Sequence, residues 1–499
     1  MKKVFLSILS ILTLFMLASC DINEIIKGLT KKQYDINYYI DFEYIEFEPV
    51  YEGDNVILDL DKIYILEQNR YLDEYISSKE TEYIKFDYWY TDTAYTMKAS
   101  ADMIIKEDTN LYGRFVDNTP QEPQPPQNPD DTEHKGIVDN IVYDDFQIHF
   151  LELGNEYTGD STYIKAGDTD ILIDAGSRKN SAEAIKEYVD QYCKDGKLEY
   201  VIGTHGDQDH IAGFVGTKDG NDRTGILYQY KVGTMITASL SNKTSQIFEE
   251  YLAAIEYAQN SGANVYDAGS CYNNEAGGSR IYELAPNITL EIVYNYYYFN
   301  ESEDENNYSV CVMLNYNDNH YMLTGDLELD GEEQMAKYYD NSSSEKTLPK
   351  VKLFKAGHHG SKTSSNSCLL EKIQPEIVCV CCCAGSTEYT ANYNNVFPTQ
   401  DMITRVAAYT DRIYVTTVFN EKTLKFESLN GNIIISSNGE AVGVYATNNI
   451  TKLKDSTWFN ETVYIDKNGN ICSGKGKEDF FTSATTGVTA VKRRIWPTA

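Results

Sequence analysis

Six residues, His205-Gly206-Asp207-Gln208-Asp209-His210, constrain this chain more than any other feature. They follow Tyr200-Val201-Ile202-Gly203-Thr204, which reads as a buried strand, and a helix begins near Asp209. Strand, turn and helix thus set several imidazole and carboxylate groups on one rigid corner facing a single point. A divalent cation needs that geometry, with ligands at about 2.0–2.2 Å for zinc. Two more strand ends carry the same chemistry. Tyr321-Met322-Leu323-Thr324-Gly325-Asp326 ends in a carboxylate placed to bridge two metals, and Phe354-Lys355-Ala356-Gly357-His358-His359-Gly360-Ser361 ends in a histidine pair. The chain has 7 histidines, and His205, His210, His358 and His359 all lie in these clusters. That concentration is hard to reconcile with unrelated polar strand ends.

From about 140 to 444 strands alternate with helices, the pattern of a layered α/β domain. Ile148–Leu153, Ser161–Lys165, Ile171–Asp174 and Leu198–Thr204 read as strands, and later strands are expected near 309–316, 319–324, 351–356, 377–383 and 412–418. Ser181–Cys193 reads as an amphipathic helix, with Ala182, Ile185, Val189 and Tyr192 on one face and Asn180 as its cap. Residues 445–499 form an extension with no assigned role, in which Lys492-Arg493-Arg494 reads as a solvated charge run.

Ahead of this domain lie three different stretches. Lys2 and Lys3 precede an apolar run from Val4 to Leu17 that ends Leu17-Ala18-Ser19-Cys20. The run is too short and too N-terminal for a spanning helix between domains and has the form of a signal peptide over residues 1–20. It resembles a bacterial lipoprotein signal, which implies acylation of Cys20, an extracytoplasmic location and a lipid anchor in the cell membrane. Residues 34–116 show short alternating runs, such as Tyr44-Ile45-Glu46-Phe47-Glu48, expected to form a small all-β module. Phe86-Asp87-Tyr88-Trp89-Tyr90-Thr91-Asp92 and Asp108-Thr109-Asn110-Leu111-Tyr112-Gly113-Arg114-Phe115 resemble an internalin-B-type bacterial repeat. That resemblance implies a β-grasp-like unit, cell-wall or surface contact, and core roles for Trp89 and Tyr112. Residues 117–135 form a linker, since 119–131 hold five of the 11 prolines and favour extended polyproline II.

Composition narrows the partners. With 43 Lys plus Arg against 76 Asp plus Glu, the formal net charge is −33, so a broad groove for a phosphate backbone is not expected. Any polyanion would be met locally, by metal or by a few cations. Of the 10 cysteines, Cys379, Cys381, Cys382 and Cys383 fall in one buried-strand pattern, where neighbours point to opposite faces and pack as small apolar groups rather than as disulfides or metal ligands.

The motifs in order resemble the metallo-β-lactamase fold superfamily, in detail its ComEC-type branch. Phe150-Leu151-Glu152-Leu153-Gly154 and Gly159-Asp160-Ser161 resemble the opening motif, and Ile171–Gly176 the first main motif. The resemblance implies a four-layer αβ/βα sandwich with its site at one edge. It also implies metal ligands at His205, Asp207, Asp209, His210, Asp326 and one of the His358–His359 pair, with Asp174 bracing the metal loop. The assignment taken here gives His359 to the metal and His358 to protonation of the leaving group, with Asp209 also orienting a metal-activated water. Ser361 and Lys362 then stand where a phosphate would be contacted. The implied cofactor is one or two Zn²⁺ ions, and an oxygen-rich half-site would accept Mn²⁺ as readily. The implied substrate is a small phosphoester or a nucleic-acid-derived phosphodiester. Three departures weaken one half of the site: Asp at 207 in place of the commoner histidine, no histidine at Asn306-Asn307-Tyr308-Ser309, and Asn394 near Phe397-Pro398 where the branch has a histidine before a proline. They leave open an alternative, a catalytically impaired surface adhesin or binding lipoprotein.

Overall fold

The computed structural model describes residues 32–40, 43–51, 76, 79, 84–91, 99, 106–117 and 136–497, the last without 156, 220–221, 341–346, 421–423 and 473–487. Cys20 with the whole 1–20 signal segment, and the proline-rich stretch 119–131, lie outside the described residues. The chain divides into two compact units, Met1–Gln124 and Pro125–Ala499.

In the first unit Gln33–Ile40, Glu43–Tyr51, Ile84–Tyr90 and Thr109–Asp117 form one mixed sheet. Gln33–Ile40 pairs parallel with Thr109–Asp117, and antiparallel strands flank this central pair. Tyr34, Ile36, Tyr38 and Ile40 are buried on alternate positions, as period-two patterning requires. Trp89 is buried against Tyr38 and Phe86, with ring centroids 5.0 and 5.1 Å away. Tyr112 is only half-buried and stacks on Tyr39. Ile76 and Lys79 are helical.

The second unit is a mixed α/β sandwich of two large sheets. The nine-stranded sheet runs, in spatial order, Asn264–Asp267, Lys231–Thr237, Lys197–Gly203, Thr169–Ile173, Thr162–Ala166, Phe146–Phe150, Ile433–Ser437, Ala441–Ala446 and Gly136–Asp139. The eight-stranded sheet runs Ile281–Ala285, Ile288–Ile292, Val312–Tyr316, Asn319–Leu323, Leu353–Lys355, Ile377–Ala384, Ile413–Asn420 and Lys425–Ser428. Phe146, Ile148, Phe150, Ile164 and Ile202 of the first sheet meet Leu290, Tyr321, Leu353 and Ile377 of the second in one core. Alternate residues point outward and take helices. Leu172, Val201 and Met235 pack under Ser181–Val189, Gln208–Val215 and Gln246–Asn260, and Met322, Phe354 and Val380 pack under Leu329–Asp340, Ser367–Ile373 and Gln400–Val406. Helix, sheet, sheet, helix is the layering that two-faced apolar strands demand.

Cys379 and Cys381 face the inter-sheet core and Cys382 faces the helices, and the nine cysteines from Cys193 to Cys472 are free thiols. The helix at 181 ends at Val189, and Asn180 makes no side-chain capping bond, contrary to the capping expected of it.

The C-terminal extension belongs to this unit. Leu453, Trp458 and Phe459 join the helix-side core. Arg493 and Arg494 are buried, so the reading of 492–494 as a solvated charge run fails for both, while Lys492 is exposed. Arg494 donates to Pro398 O at 2.8 Å and Val396 O at 2.6 Å, and burial pulls its pKa down to about 10. A guanidinium with its donors on carbonyls can be buried, and a charge count does not reveal such carbonyls.

Candidate metal centre

The site forms where strands of both sheets end. Thr169–Ile173 runs into Asp174, Lys197–Gly203 into Thr204 and His205, Asn319–Leu323 into Asp326, and Leu353–Lys355 into His358 and His359. Backbone bonds knit these corners together: Ala175 N to His210 O at 2.7 Å, Gly213 N to Ala175 O at 2.9 Å and Asp160 N to Asp209 O at 3.1 Å. Gly213 is required by the close approach, because a Cβ there would lie 2.1 Å from Ala175 O. Asp174, His358 and His359 hold φ of 60°, 46° and 53°, the left-handed region that costs a non-glycine residue about 1–3 kcal/mol and is tolerated where packing fixes it.

Three side-chain atoms converge, and a fourth approaches one of them. His210 Nε2 lies 3.1 Å from Asp326 Oδ2 and 3.3 Å from His359 Nε2. His359 Nε2 lies 3.1 Å from Asp326 Oδ2 and 3.1 Å from Asp209 Oδ2. Corners of a tetrahedron about 2.0–2.1 Å from its centre are separated by about 3.3 Å, so these spacings suit a zinc-sized ion. The tautomers agree. His210 donates from Nδ1 to Asp174 Oδ2 at 2.7 Å, and His359 donates from Nδ1 to Cys381 O at 2.9 Å, with Asp160 Oδ1 at 3.1 Å. Both Nε2 lone pairs therefore face each other and two carboxylates, an arrangement that only a cation or added protons relieve. His205 Nδ1 lies 3.1 Å from Thr204 Oγ1, itself a donor to Asp174, while its buried Nε2 has no hydrogen-bond partner and sits 3.5 Å from Asp207 Oδ2. The donor set fits a divalent metal.

Electrostatics point the same way. Burial opposes charge on His210 and His359, but Asp326 first, then Asp174 for His210 and Asp160 for His359, hold both pKa values well above the ordinary range. Burial likewise opposes charge on Asp326, and His210 and His359 outweigh it and hold the carboxyl well below its usual range. The buried carboxylates demand positive charge, which protons on the two imidazoles supply and which a metal would supply in their place.

The expected residues separate into groups. His210, Asp326 and His359 meet at one point, Asp209 reaches it through His359 Nε2, and Asp174 braces His210 and Thr204. His205 and Asp207 lie beside them, with Asp207 also bound to Lys243. His358 stands outside, its Nδ1 2.9 Å from Glu328 Oε1, and Glu328 accepts from Thr363 Oγ1 at 2.7 Å. Burial opposes its protonation, but the Glu328 bond raises the His358 pKa. Ser361 bonds Thr363 Oγ1 at 2.9 Å, and Lys362 turns away to Asn395 Oδ1 at 2.8 Å, so neither touches the converging atoms.

Three residues were missed by sequence reasoning. Asp160 lies close enough to His210, Asp326 and His359 to count among the ligand atoms, but one of its oxygens faces His359 Nδ1 and the other is ion-paired with Lys355. It therefore orients His359 as Asp174 orients His210. Lys355 is buried, donates to Gly325 O at 3.1 Å and Ala356 O at 3.2 Å, and lies 3.6 Å from Asp326 Oδ1. Tyr389 donates to Asp209 Oδ2 at 2.9 Å.

Residues 154–225 match the family model described as the metallo-beta-lactamase superfamily. That stretch is similar to the metallo-β-lactamase superfamily. The matched stretch holds Asp174 and the 205–210 hexapeptide, while Asp326 and the histidine pair lie beyond it. The chain is 25% identical over 237 residues to Recombination protein 2 of Haemophilus influenzae, covering 47% of this chain and 24% of that protein. It thus spans about a quarter of that relative's length. Among solved structures, a mutant of CmlA beta-hydroxylase matches at 9% identity over 57% of this chain and 54% of that one, with a TM-score of 0.29. A metallo beta lactamase from Hirschia baltica matches at 14% identity over 38% and 70%, with a TM-score of 0.21. Likenesses this small say nothing about substrate.

Proposed function

We propose that this protein is an extracytoplasmic, lipid-anchored, metal-dependent hydrolase of small phosphodiesters. The observation that carries the reading is the pair of buried Nε2 atoms, 3.3 Å apart and facing Asp209 and Asp326, with their tautomers fixed from behind. A bound divalent ion there would make a water nucleophilic near neutral pH and offset charge on the reacting oxygens. His210, His359, Asp326 and Asp209 would hold it, and His205 with Asp207 would hold a second, weaker site. Asp209 orients the attacking water, and His358, protonated beside Glu328, supplies the leaving group's proton.

The surroundings favour short substrates. A cavity of about 750 Å³ abuts Asp207 and is lined also by Glu301, Glu303, Asp304 and Asp330. On a chain of net charge −33, such walls repel a long polyanion. Zinc- or manganese-loaded protein is expected to cleave bis-nitrophenyl phosphate, to lose activity to a chelator and to regain it with added metal. Asp209→Asn lowers turnover by about 10³-fold or more, the equivalent of several kcal/mol. Long duplex DNA is cleaved more slowly than the small diester at low salt. If long DNA is the best substrate there, the charge argument fails. If metal-loaded protein turns over no phosphoester, a surface adhesin or binding lipoprotein takes the place of the enzyme.

The location rests on Leu17-Ala18-Ser19-Cys20. No helix among the described residues is long and apolar enough to cross a membrane. The protein is expected to partition into detergent with membranes, and Cys20→Ser to release it or block its processing. A mature N-terminus beyond Cys20 without lipid would sink the anchor. The N-terminal module would make the cell-wall or surface contact.

A further inference from the structure

The loop after Ile377–Ala384 brings a phenol to the mouth of the centre. Tyr389 is 53% exposed, yet its hydroxyl reaches Asp209 Oδ2 at 2.9 Å. The loop is fixed on both sides of it. Glu388 is ion-paired with Arg178 and accepts from Thr158 N at 3.1 Å. Further along, the C-terminal extension holds the chain, with Ile471 N donating to Ala391 O at 2.7 Å and Tyr393 N to Gly469 O at 2.9 Å. The Tyr389 ring lies 6.0 Å from Phe397, whose own ring is 5.6 Å from His358 and 6.1 Å from His359.

Holding Asp209 is a poor account of this placement. Asp209 is already fixed by its backbone, in the first turn of the helix Gln208–Val215 and with Asp160 N donating to its carbonyl at 3.1 Å. An exposed hydroxyl also gains only about 0.5–1.5 kcal/mol from one bond. A phenol stays protonated at neutral pH, carries no charge and can pass its hydrogen bond from Asp209 to an entering oxygen. Lys362, the cation expected to meet a phosphate, is turned to Asn395.

We propose that Tyr389 is a substrate-contacting residue: its O–H rests on Asp209 in the free protein and donates to a non-bridging phosphoryl oxygen in the complex. This rests on the hydrolase reading above, and no proton is transferred in the contact. Tyr389→Phe removes the hydroxyl alone. Expected are unchanged metal content and thermal midpoint, and about 10-fold weaker binding of inorganic phosphate, titrated calorimetrically into zinc-loaded protein. kcat for bis-nitrophenyl phosphate should fall about 10²-fold, the scale of losing one oxyanion donor.

Wild-type phosphate affinity in Tyr389→Phe overturns the proposal and leaves the hydrolase reading standing. Weaker metal binding, with normal phosphate affinity at saturating zinc, also overturns it, since Tyr389 would then act only through Asp209. No measurable phosphate binding by the wild-type protein overturns the phosphoryl contact. A wild-type protein that binds phosphate but hydrolyses nothing defeats the hydrolase reading, and the phosphate arm still decides Tyr389.

Discussion

Asp326→Ala is expected to leave purified protein with little metal and to lower any metal-dependent turnover by about 10³-fold or more. Asp207→Ala is expected to keep most of its metal. The difference follows from position. Asp326 Oδ2 lies 3.1 Å from both His210 Nε2 and His359 Nε2, at the shared corner of the converging atoms. Its removal takes a ligand and also leaves two imidazoles without the carboxylate that most strongly favours charge beside them. Asp207 Oδ2 lies 3.5 Å from His205 Nε2, and its other oxygen is committed to Lys243. Metal analysis after gel filtration without chelators, with zinc titrations of both variants, measures the contrast. Equal loss in the two variants would mean that the 205–207 corner is as central as the Asp326 corner and that the ligand geometry has been misread.

What the sequence reveals of this centre is set by local order. His205 to His210 occupy one strand end and one helix start, so their convergence follows from six consecutive residues and the strand ahead of them. Asp326 and His359 each close a strand, and the alternation of strands with helices was enough to expect the α/β sandwich that the chain adopts. The groups behind the ligands are different. Asp160 meets Lys355 across 195 positions of sequence, and neither departs locally from an ordinary polar residue beside a strand. The one trace was Gly159-Asp160-Ser161, which marks the opening motif but says nothing of a role. Tyr389 is one of 41 tyrosines and lies in a loop without periodicity, so its hydroxyl is visible only once the loop is folded over Asp209. Arg493 and Arg494 look solvated by charge alone, because Glu461 lies more than thirty residues from Arg493 and the Val396 and Pro398 carbonyls nearly a hundred from Arg494.

Lys355→Met is expected to destabilise metal-free protein by about 3–5 kcal/mol, the scale of removing one partner from a buried ion pair. All three of its donors are placed: one on Asp160, one on Gly325 O at 3.1 Å and one on Ala356 O at 3.2 Å. Burial alone would discharge this amine, but Asp160 and then Asp326 outweigh it and hold its pKa above the ordinary lysine value. Methionine fills similar space and supplies no charge, so Asp160 and Asp326 stay buried with a counter-ion missing, and two carbonyls lose a donor. The loss should shrink when the protein is saturated with zinc, because a divalent ion on Asp326 restores positive charge to the same cluster. Lys355→Arg should not rescue it: a planar fork cannot reach three acceptors arranged around a point charge. Urea unfolding of each variant, with and without zinc, checks all three expectations. Wild-type stability of metal-free Lys355→Met would show that the carboxylates of this centre do not depend on the ammonium behind them.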